Sequence, residues 1–488
     1  MRPSTNLTLF EPGHMTPFMG NRGMWGWVLG SLAFGAVAHA GNPLQTELWR
    51  GFHDPQISDS ALISRLEGLR PEVQSLEDAL LAGPPIGTFP AGMTRLPLTA
   101  PHVDYSTELL VYVPSSYDPS RKHSLYLVLH GGNFSMDQVY ADKTAQSYIA
   151  PWVDNAEKFG IIVAAPITER GWGAVGKSIE AGAIRTLAQK LNIDPNRVYV
   201  WGQSMGGHGS WRAGLHTPDW YAGVSPVCGG YDYPVQMLKQ LRDIPIYQVW
   251  GANDPHPAGL NVINAKLAQE LGQLGYDVKS VEKPGGHELF ADEIPSIIQF
   301  FSTRPRNLYP RQVLAQHEKE FTRGPLAIVE PDPGYVWSSL HKWSVPLPVG
   351  NFYWLELTAK TLDREQLPDG TWKGKLATLE ARVDSNTIRI LALDNVHDAN
   401  ILLSSRLVDF SKPIRVVRVQ KQCASSPSGL TACQMIGEEP LFEGRVTPSW
   451  KETLLDARAM RDPGRLFEAR LSLVTDSAGN QRVVDSTR

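Results

Sequence analysis

The sequence predicts an α/β fold, a mostly parallel sheet with helices on both faces, followed by a β-rich C-terminal domain. Three observations carry that expectation. From Glu108 to Phe301, short apolar runs alternate with helix-length stretches, the pattern of strands buried on both faces and joined by helical crossovers. One of these runs, Val198–Trp201, leads straight into Gly202-Gln203-Ser204-Met205-Gly206, a strand-to-helix turn signature. Beyond Thr303-Arg304-Pro305-Arg306 and Tyr309-Pro310-Arg311, helical patterns give way to strand-like alternation.

The elements follow in order. Met24–Ala38 is a mostly apolar run of 15 residues without charge, preceded by Arg22 and followed by Ala38-His39-Ala40 and Gly41-Asn42-Pro43. This is a small-x-small cleavage pattern, so residues 1–40 read as a secretory signal peptide. The run is short for a membrane span, and no later apolar run approaches about 18 residues. Residues 41–100 read as a helical N-terminal extension, with amphipathic stretches at Ser60–Leu69 and Glu72–Leu81 ended by Gly83-Pro84-Pro85. Residues 101–302 form the expected catalytic domain. Its strands are Leu109–Val113, Leu125–Leu129, Ile161–Ala165, Val198–Trp201, Gly223–Val227, Ile246–Trp250 and a weaker Val278–Val281; Lys177–Leu191 and Leu260–Leu274 are helix-length. A linker spans 303–312. In 313–488, Asn351–Ala359 alternates, Ala377–Val383 and Thr387–Leu393 pair around Asp384-Ser385-Asn386, Ile414–Val419 follows, and Ser449–Met460 is a helix.

Composition bounds the function. The chain has 488 residues, 46 Lys+Arg and 50 Asp+Glu, a formal charge of −4. No global field favours nucleic acid or anionic lipid. Three cysteines are too few for a disulfide scaffold or a paired-cysteine zinc module. In an oxidising compartment, Cys423 and Cys433, on either side of Ser-Ser-Pro-Ser-Gly, could close as a local disulfide. Cys228 reads as a buried, inert thiol.

The chemistry concentrates in four segments. Ser204 sits on the turn, where its hydroxyl projects above the sheet edge; Gly202 and Gly206 leave room for neighbouring strands. A serine needs a base to take its proton. Asp254 closes the strand Ile246–Trp250, and His287 follows Gly285-Gly286 beyond the last strand, giving the chain order Ser, acid, His. His208 is a rival base, and Asp232, after the preceding strand, is a rival acid. His130-Gly131-Gly132 ends the strand Leu125–Leu129, so Gly131 or Gly132 offers one backbone N–H to an oxyanion and Met205 the other.

The stretch Val198–Gly207, with His130-Gly131-Gly132, Asp254 and His287, resembles the α/β-hydrolase superfamily. Ile193-Asp-Pro-Asn-Arg-Val-Tyr-Val200, leading into Gly-Gln-Ser-Met-Gly-Gly, is similar to secreted bacterial esterases grouped with polyhydroxybutyrate depolymerases and feruloyl or acetyl-xylan esterases. The similarity covers about Thr107 to Phe301. It implies an exported serine hydrolase cleaving carboxylic esters of small molecules or polymers without a cofactor, acting outside the cytoplasm in periplasm or medium. A serine peptidase of the prolyl-oligopeptidase type shares fold and triad, but no propeller repeat is visible; a non-catalytic binding protein on the same fold is the other alternative. Phe442-Glu443-Gly444-Arg445-Val446 and Asp462-Pro-Gly-Arg-Leu-Phe467 resemble a C-terminal extension of some bacterial esterases, with no role implied.

Other patterns carry weaker expectations. Gly171–Ser178 matches the P-loop letter for letter, but Ile167–Arg170 separates it from the strand, so a nucleotide is not expected. The loop reads instead as a cover for the serine site, with Trp172 and Gln203 as candidate substrate contacts. Asp254-Pro-His256 could suggest a metal pair, but lacks further clustered ligands; no metal is expected. Trp337, Trp343, Trp354 and Trp372 could stack on a polysaccharide or fill a small β core. Pocket walls are expected from loops and from residues 42–100.

Overall fold

A computed structural model describes residues 42–487 except 102, 133–135, 232–234, 255–258, 319–350, 358–363, 367–371, 375 and 426–430. The expected signal peptide lies outside the described residues. Among the described residues, no helix is long and apolar enough to cross a membrane.

Three helices come first, α1 (Pro43–Phe52), α2 (Asp59–Glu67) and α3 (Val73–Ala82). Their starts are local: Asn42 and Ser58 accept the Leu44 and Ala61 amides, as N-caps do. The main sheet has eight strands: β1 (Gly92–Thr99), β2 (Ser106–Val113), β3 (His123–Leu129), β4 (Ile162–Pro166), β5 (Ile193–Gln203), β6 (Gly223–Val227), β7 (Ile246–Gly251) and β8 (Val278–Lys283). They lie in the order β1-β2-β4-β3-β5-β6-β7-β8. β3 to β8 are mutually parallel, and β2 is antiparallel to β1 and β4. Between strands run α4 (Gln138–Ile149), α5 (Val153–Phe159), α6 (Ala174–Ala188), α7 (Met205–His216) and α8 (Leu260–Leu274), with α9 (Ile294–Ser302) after β8.

The central strands are buried almost end to end, which is why they stand out as continuous apolar runs. β1 differs. It falls inside the stretch expected to be a helical extension, and it alternates between half-buried and exposed positions around Pro97. An edge strand tolerates proline because one side of its backbone needs no partner. The sheet therefore begins at Gly92 rather than after residue 100.

Beyond the linker, two five-stranded sheets form. One contains 312–318, 376–384, 387–394, 414–425 and 431–444; the other contains 351–352, 355–357, 399–403, 469–475 and 481–485. They share a core that includes Phe352, Trp354, Leu379, Ile390, Ile401, Val416 and Phe467. The expected single strand Asn351–Ala359 is instead a tight reversal, with Asn351 and Phe352 pairing back on Glu356 and Leu355. Tyr353 turns the chain at φ 57°, and Trp354 donates its indole N–H to the Pro310 carbonyl at 2.7 Å. Trp354 is thus a core residue rather than an exposed sugar platform. Trp337 and Trp343 lie outside the described residues, as does the side chain of Trp372.

The C-terminal helix α10 (Trp450–Met460) joins the far ends of the chain. Its Leu454 and Ala457 share an apolar cluster with Leu48, Phe52, Leu62, Leu66, Leu76 and Leu80 of α1–α3. The N-terminal helices are committed to this packing. The Asp462-Pro-Gly-Arg465 turn that follows α10 acquires a role here. Arg465 is 1 % exposed, pairs with the fully buried Asp219 behind α7, and bonds Asp456 of α10 at 2.9 Å. Asp462 pairs with Arg306 of the linker, which also donates to the Asp219 carbonyl at 2.7 Å. Burial pushes the Asp219 carboxyl up to about 6, against the pull of Arg465 and Arg306. The pair depends on both partners, because a lone buried charge is far costlier than a matched one. Arg465→Met is expected to lower unfolding free energy in urea by about 3–5 kcal/mol. A loss below about 1 kcal/mol would show that this turn does not fasten the C-terminal region.

Candidate active site

Ser204 ends β5 and precedes α7 with φ 58° and ψ −120°. A non-glycine residue holds such a backbone only where its surroundings over-determine it. Here its N–H donates to the Val227 carbonyl at 2.9 Å, and its carbonyl accepts from His208 N–H at 3.0 Å. The flanking glycines have direct steric causes. A Cβ on Gly206 would lie 1.9 Å from the Leu129 carbonyl oxygen, and one on Gly202 2.3 Å from the Gly206 carbonyl oxygen. Neither clash can be relieved, since both involve backbone. Met205 is the first residue of α7, so its N–H has no acceptor within the helix.

The acid and the histidine arrive on two loops stitched by backbone. Ala252 N–H donates to the Lys283 carbonyl and Asn253 N–H to the Gly285 carbonyl, each at 2.9 Å. Gly251 and Gly286 touch so closely that a Cβ on Gly251 would sit 2.0 Å from the Gly286 carbonyl oxygen. This crossing brings His287 Nδ1 to 2.9 Å from Asp254 Oδ2. Asp254 is fully buried, while His287 keeps a quarter of its side-chain surface exposed. The pairing engages the Nδ1 side of the ring, and His287 lines the cleft.

The third-strand loop is held from below. His130 is fully buried, and burial drops its imidazole to about 4, so it is neutral. Its Nε2 accepts from the Thr168 amide at 3.2 Å, which leaves Nδ1–H to donate to the Gly131 carbonyl at 2.7 Å. A trans peptide points its N–H opposite to its C=O, so the Gly132 N–H is turned away from His130. The Tyr148 hydroxyl lies against Gly131 and donates to Gln203 Oε1.

Ser204, His287, Gly131, Gly132 and Gln203 line one open cleft, together with Tyr140, Thr144, Ser147, Tyr148 and Leu289. Its wall is α4, capped by the Asp137 side chain on Tyr140 N–H at 2.8 Å. Residues 42–100, expected as wall, contribute none of these lining residues. Tyr140, Thr144 and Tyr148 recur at four-residue spacing, a helical stripe that the sequence carried but that was not read as part of the site.

Several candidates take other positions. Trp172 is 1 % exposed and donates its indole N–H to the His130 carbonyl at 2.8 Å; it braces the loop after β3 from the core and does not line the cleft. Gln203 does line the cleft, but its carbonyl oxygen is engaged by Tyr148. His208 is buried, its Nε2 accepting from Gly230 N–H at 3.1 Å. That bond turns the ring toward the loop after β6. Asp232 and His256 lie outside the described residues. The P-loop-like stretch is a packed corner: Gly173 caps α6, Lys177 and Ser178 are buried, and a Cβ on Gly176 would meet the Gly171 carbonyl at 2.7 Å.

Cys228 is buried, as expected, but its position was not foreseen. Its sulfur, an Asp254 oxygen and a His287 nitrogen all lie within 4.8 Å of one another. Burial, reinforced by the Asp254 charge, pushes the thiol up to about 12, so it is an un-ionised neighbour of the acid. Cys423 and Cys433 stand directly opposite each other in the antiparallel pairing of 414–425 with 431–444.

Residues 101–271 match the family described as "Putative esterase". Over 69 residues the chain is 36 % identical to "Putative esterase NocK" of Nocardia uniformis subsp. tsuyamanensis, covering 14 % of this chain and 20 % of that protein. Over 153 residues it is 31 % identical to the "Bifunctional acetylxylan esterase/xylanase XynS20E" of Neocallimastix patriciarum, covering 30 % of this chain and 21 % of that protein. The chain thus spans about a fifth of the length of these relatives. Among solved structures, a thermostable esterase aligns with a TM-score of 0.38 and 24 % identity, over 44 % of this chain and 63 % of that one. The eight-stranded sheet, parallel from β3 to β8, is the mostly parallel sheet that the sequence leads one to expect, and residues 101–271 are similar to the esterase family.

Proposed function

We propose that this protein is an exported serine hydrolase of carboxylic esters. The observation that carries the reading is the His287–Asp254 bond of 2.9 Å beside a cleft that Ser204 and His287 both line. In the proposed cycle Ser204 Oγ attacks the ester carbonyl while His287 Nε2 takes its proton. Asp254 holds the imidazole in the tautomer that leaves Nε2 basic and stabilises the imidazolium. The tetrahedral oxyanion accepts hydrogen bonds from the Met205 and Gly132 amides. Gly132 is preferred to Gly131 because its N–H points away from His130, whose Nδ1–H holds the Gly131 carbonyl. Each such donor is worth about 3 kcal/mol of barrier. His287 then returns the proton to the leaving alcohol, and water, deprotonated by the same imidazole, releases the acid. No cofactor enters.

The tyrosine, threonine and serine residues of α4 along the cleft favour a polar alcohol such as a sugar, and the acetylxylan esterase relative agrees with that class. A panel of short-chain aryl esters, acetylated and feruloylated sugars, hydroxyalkanoate oligomers and aminoacyl-anilides tests the reading. Ester turnover without anilide turnover is expected. Preferential cleavage of anilides would make it a peptidase of the prolyl-oligopeptidase type, and no turnover of any would favour a binding protein.

Export rests on the apolar run Met24–Ala38 and the Ala38-His39-Ala40 site. It carries a redox expectation. Residues directly opposite in an antiparallel pair have Cα atoms about 4.5–5.5 Å apart, within the range a disulfide spans. Cys423 and Cys433 of the exported protein should therefore resist alkylation until reduced, whereas Cys228 should label on denaturation alone. Reduction is expected to cost about 2–3 kcal/mol of stability for so short a loop and to leave turnover unchanged. Labelling of all three in unreduced, denatured protein would exclude the bond.

A further inference from the structure

A second cavity lies between α1, α3, α6, the start of β5 and the end of α10. It sits toward the opposite end of β5 from Ser204. Val198 in its wall and Ser204 are six residues apart on that strand, or about 20 Å at about 3.3 Å per residue. Trp49, Leu80, Ile184 and Trp220 supply apolar walls. Into this apolar space the fold brings cations. Arg185 of α6 and Arg461 just after α10 both line it, as does His53.

The charges there are unbalanced. Among the described residues, no carboxylate forms an ion pair or hydrogen bond with the Arg185 side chain. Arg461 gives one guanidinium nitrogen to the Phe52 carbonyl, and the Asp59 and Asp54 carboxylates attract it only at a distance, against the repulsion of Arg458. Asp462, the acid in the same wall, is already bonded to Arg306. His53 Nδ1 is buried with no hydrogen-bond partner, and its ring stacks on Trp49 at 5.6 Å between centroids. Burial and the Arg461 charge lower the Arg185 guanidinium to about 10; burial, Arg461 and Arg185 drop His53 to about 4. Two like charges held in a poorly solvated cavity repel, and unmatched polar atoms there are costly. A single anionic group between them would relieve both.

We propose that this cavity is a binding site for an organic carboxylate with an apolar body, its carboxylate held by Arg185 and Arg461 and its body by Trp49, Leu80, Ile184 and Trp220. Guanidinium suits a carboxylate because its planar donors match the two oxygens. A bare inorganic anion would leave the apolar walls unfilled, and a neutral hydrocarbon would leave the cations unmatched. Both aryl and alkyl acids meet these requirements. The site is separate from the cleft of Ser204, so the inference stands apart from the hydrolase reading.

Titration calorimetry of the full chain with trans-cinnamate and with octanoate tests it, with cinnamamide and octanamide as the uncharged controls. At least one acid should bind, and the tighter of the two identifies an aryl or an alkyl source. Arg185→Met should weaken that acid at least about tenfold, with Arg185→Lys recovering part of the loss. The amide of that acid should bind at least about tenfold more weakly than the acid itself. Turnover of an aryl ester should be unchanged in Arg185→Met, which also reports that the variant is folded. Equal affinity in wild type and Arg185→Met, an amide as tight as its acid, or no binding of either acid at about 10 mM would each overturn the proposal. The amide comparison needs no variant and stands even if Arg185→Met fails to fold.

Discussion

Ser204→Ala is expected to remove ester turnover, with kcat falling by about 10⁴–10⁶, while the protein keeps its fold. The size follows from the role. Without Oγ no acyl-enzyme forms, and what survives is the amide pair at the oxyanion and the binding of substrate beside it. The fold should survive because the turn is held by backbone, through Ser204 N–H on Val227 and the contact of Gly206 with Leu129. Alanine carries the same Cβ as serine, so the backbone at φ 58° is no more strained than before. Steady-state turnover of an aryl ester, with a thermal melt of the same preparation, checks both halves. A variant retaining more than about a tenth of wild-type kcat would exclude Ser204 as nucleophile.

Asp254→Asn is expected to lower kcat by about 10²–10⁴ with KM nearly unchanged. Asp254 Oδ2 accepts from His287 Nδ1. An amide nitrogen in that place would donate instead, and the ring would present the wrong nitrogen to Ser204. The damage should stay local, because the loop around Asp254 is fastened by the Ala252 and Asn253 amides rather than by the carboxylate. Asp232→Asn is the contrast. It follows the preceding strand and could reach the histidine by chain order alone, yet the bond to His287 Nδ1 is made by Asp254. Its loss should cost less than about tenfold. Measuring both variants on one ester decides the assignment: a dead Asp232→Asn beside a nearly normal Asp254→Asn would reverse it and leave the Ser204–His287 pair standing.

What could be read from the chain alone were the features whose causes act within a few residues or repeat along a segment. The central strands stand out because burial on both faces demands unbroken apolar runs, as in Leu125–Leu129. The elbow stands out because the close approach of neighbouring backbone excludes a Cβ at Gly202 and Gly206, a demand written at those positions. Leu260–Leu274 was legible to the residue. β1 was not, because an edge strand with one half-solvated face and a proline leaves only a faint pattern.

The rest was decided by which surfaces meet when the chain closes. Trp172 looked like a ligand contact by its place in a glycine-rich loop, yet it is buried against the loop after β3. Tyr148 touches Gln203 across 55 residues of sequence, and nothing near either residue announces the pairing. Cys228 comes beside Asp254 and His287 only because three parallel strands end at one edge. The Asp462–Arg465 turn and helices α1–α3 find their partners hundreds of residues away. Sequence by itself determined the sheet's interior, the strained turn and the order of serine, acid and histidine, since local sterics and burial select residue type directly. Only the tertiary structure decided which described acid bonds the imidazole, which residues line the cleft and where the cations of the second cavity gather, because side-chain distances across the fold are set by packing between segments that carry no record of one another.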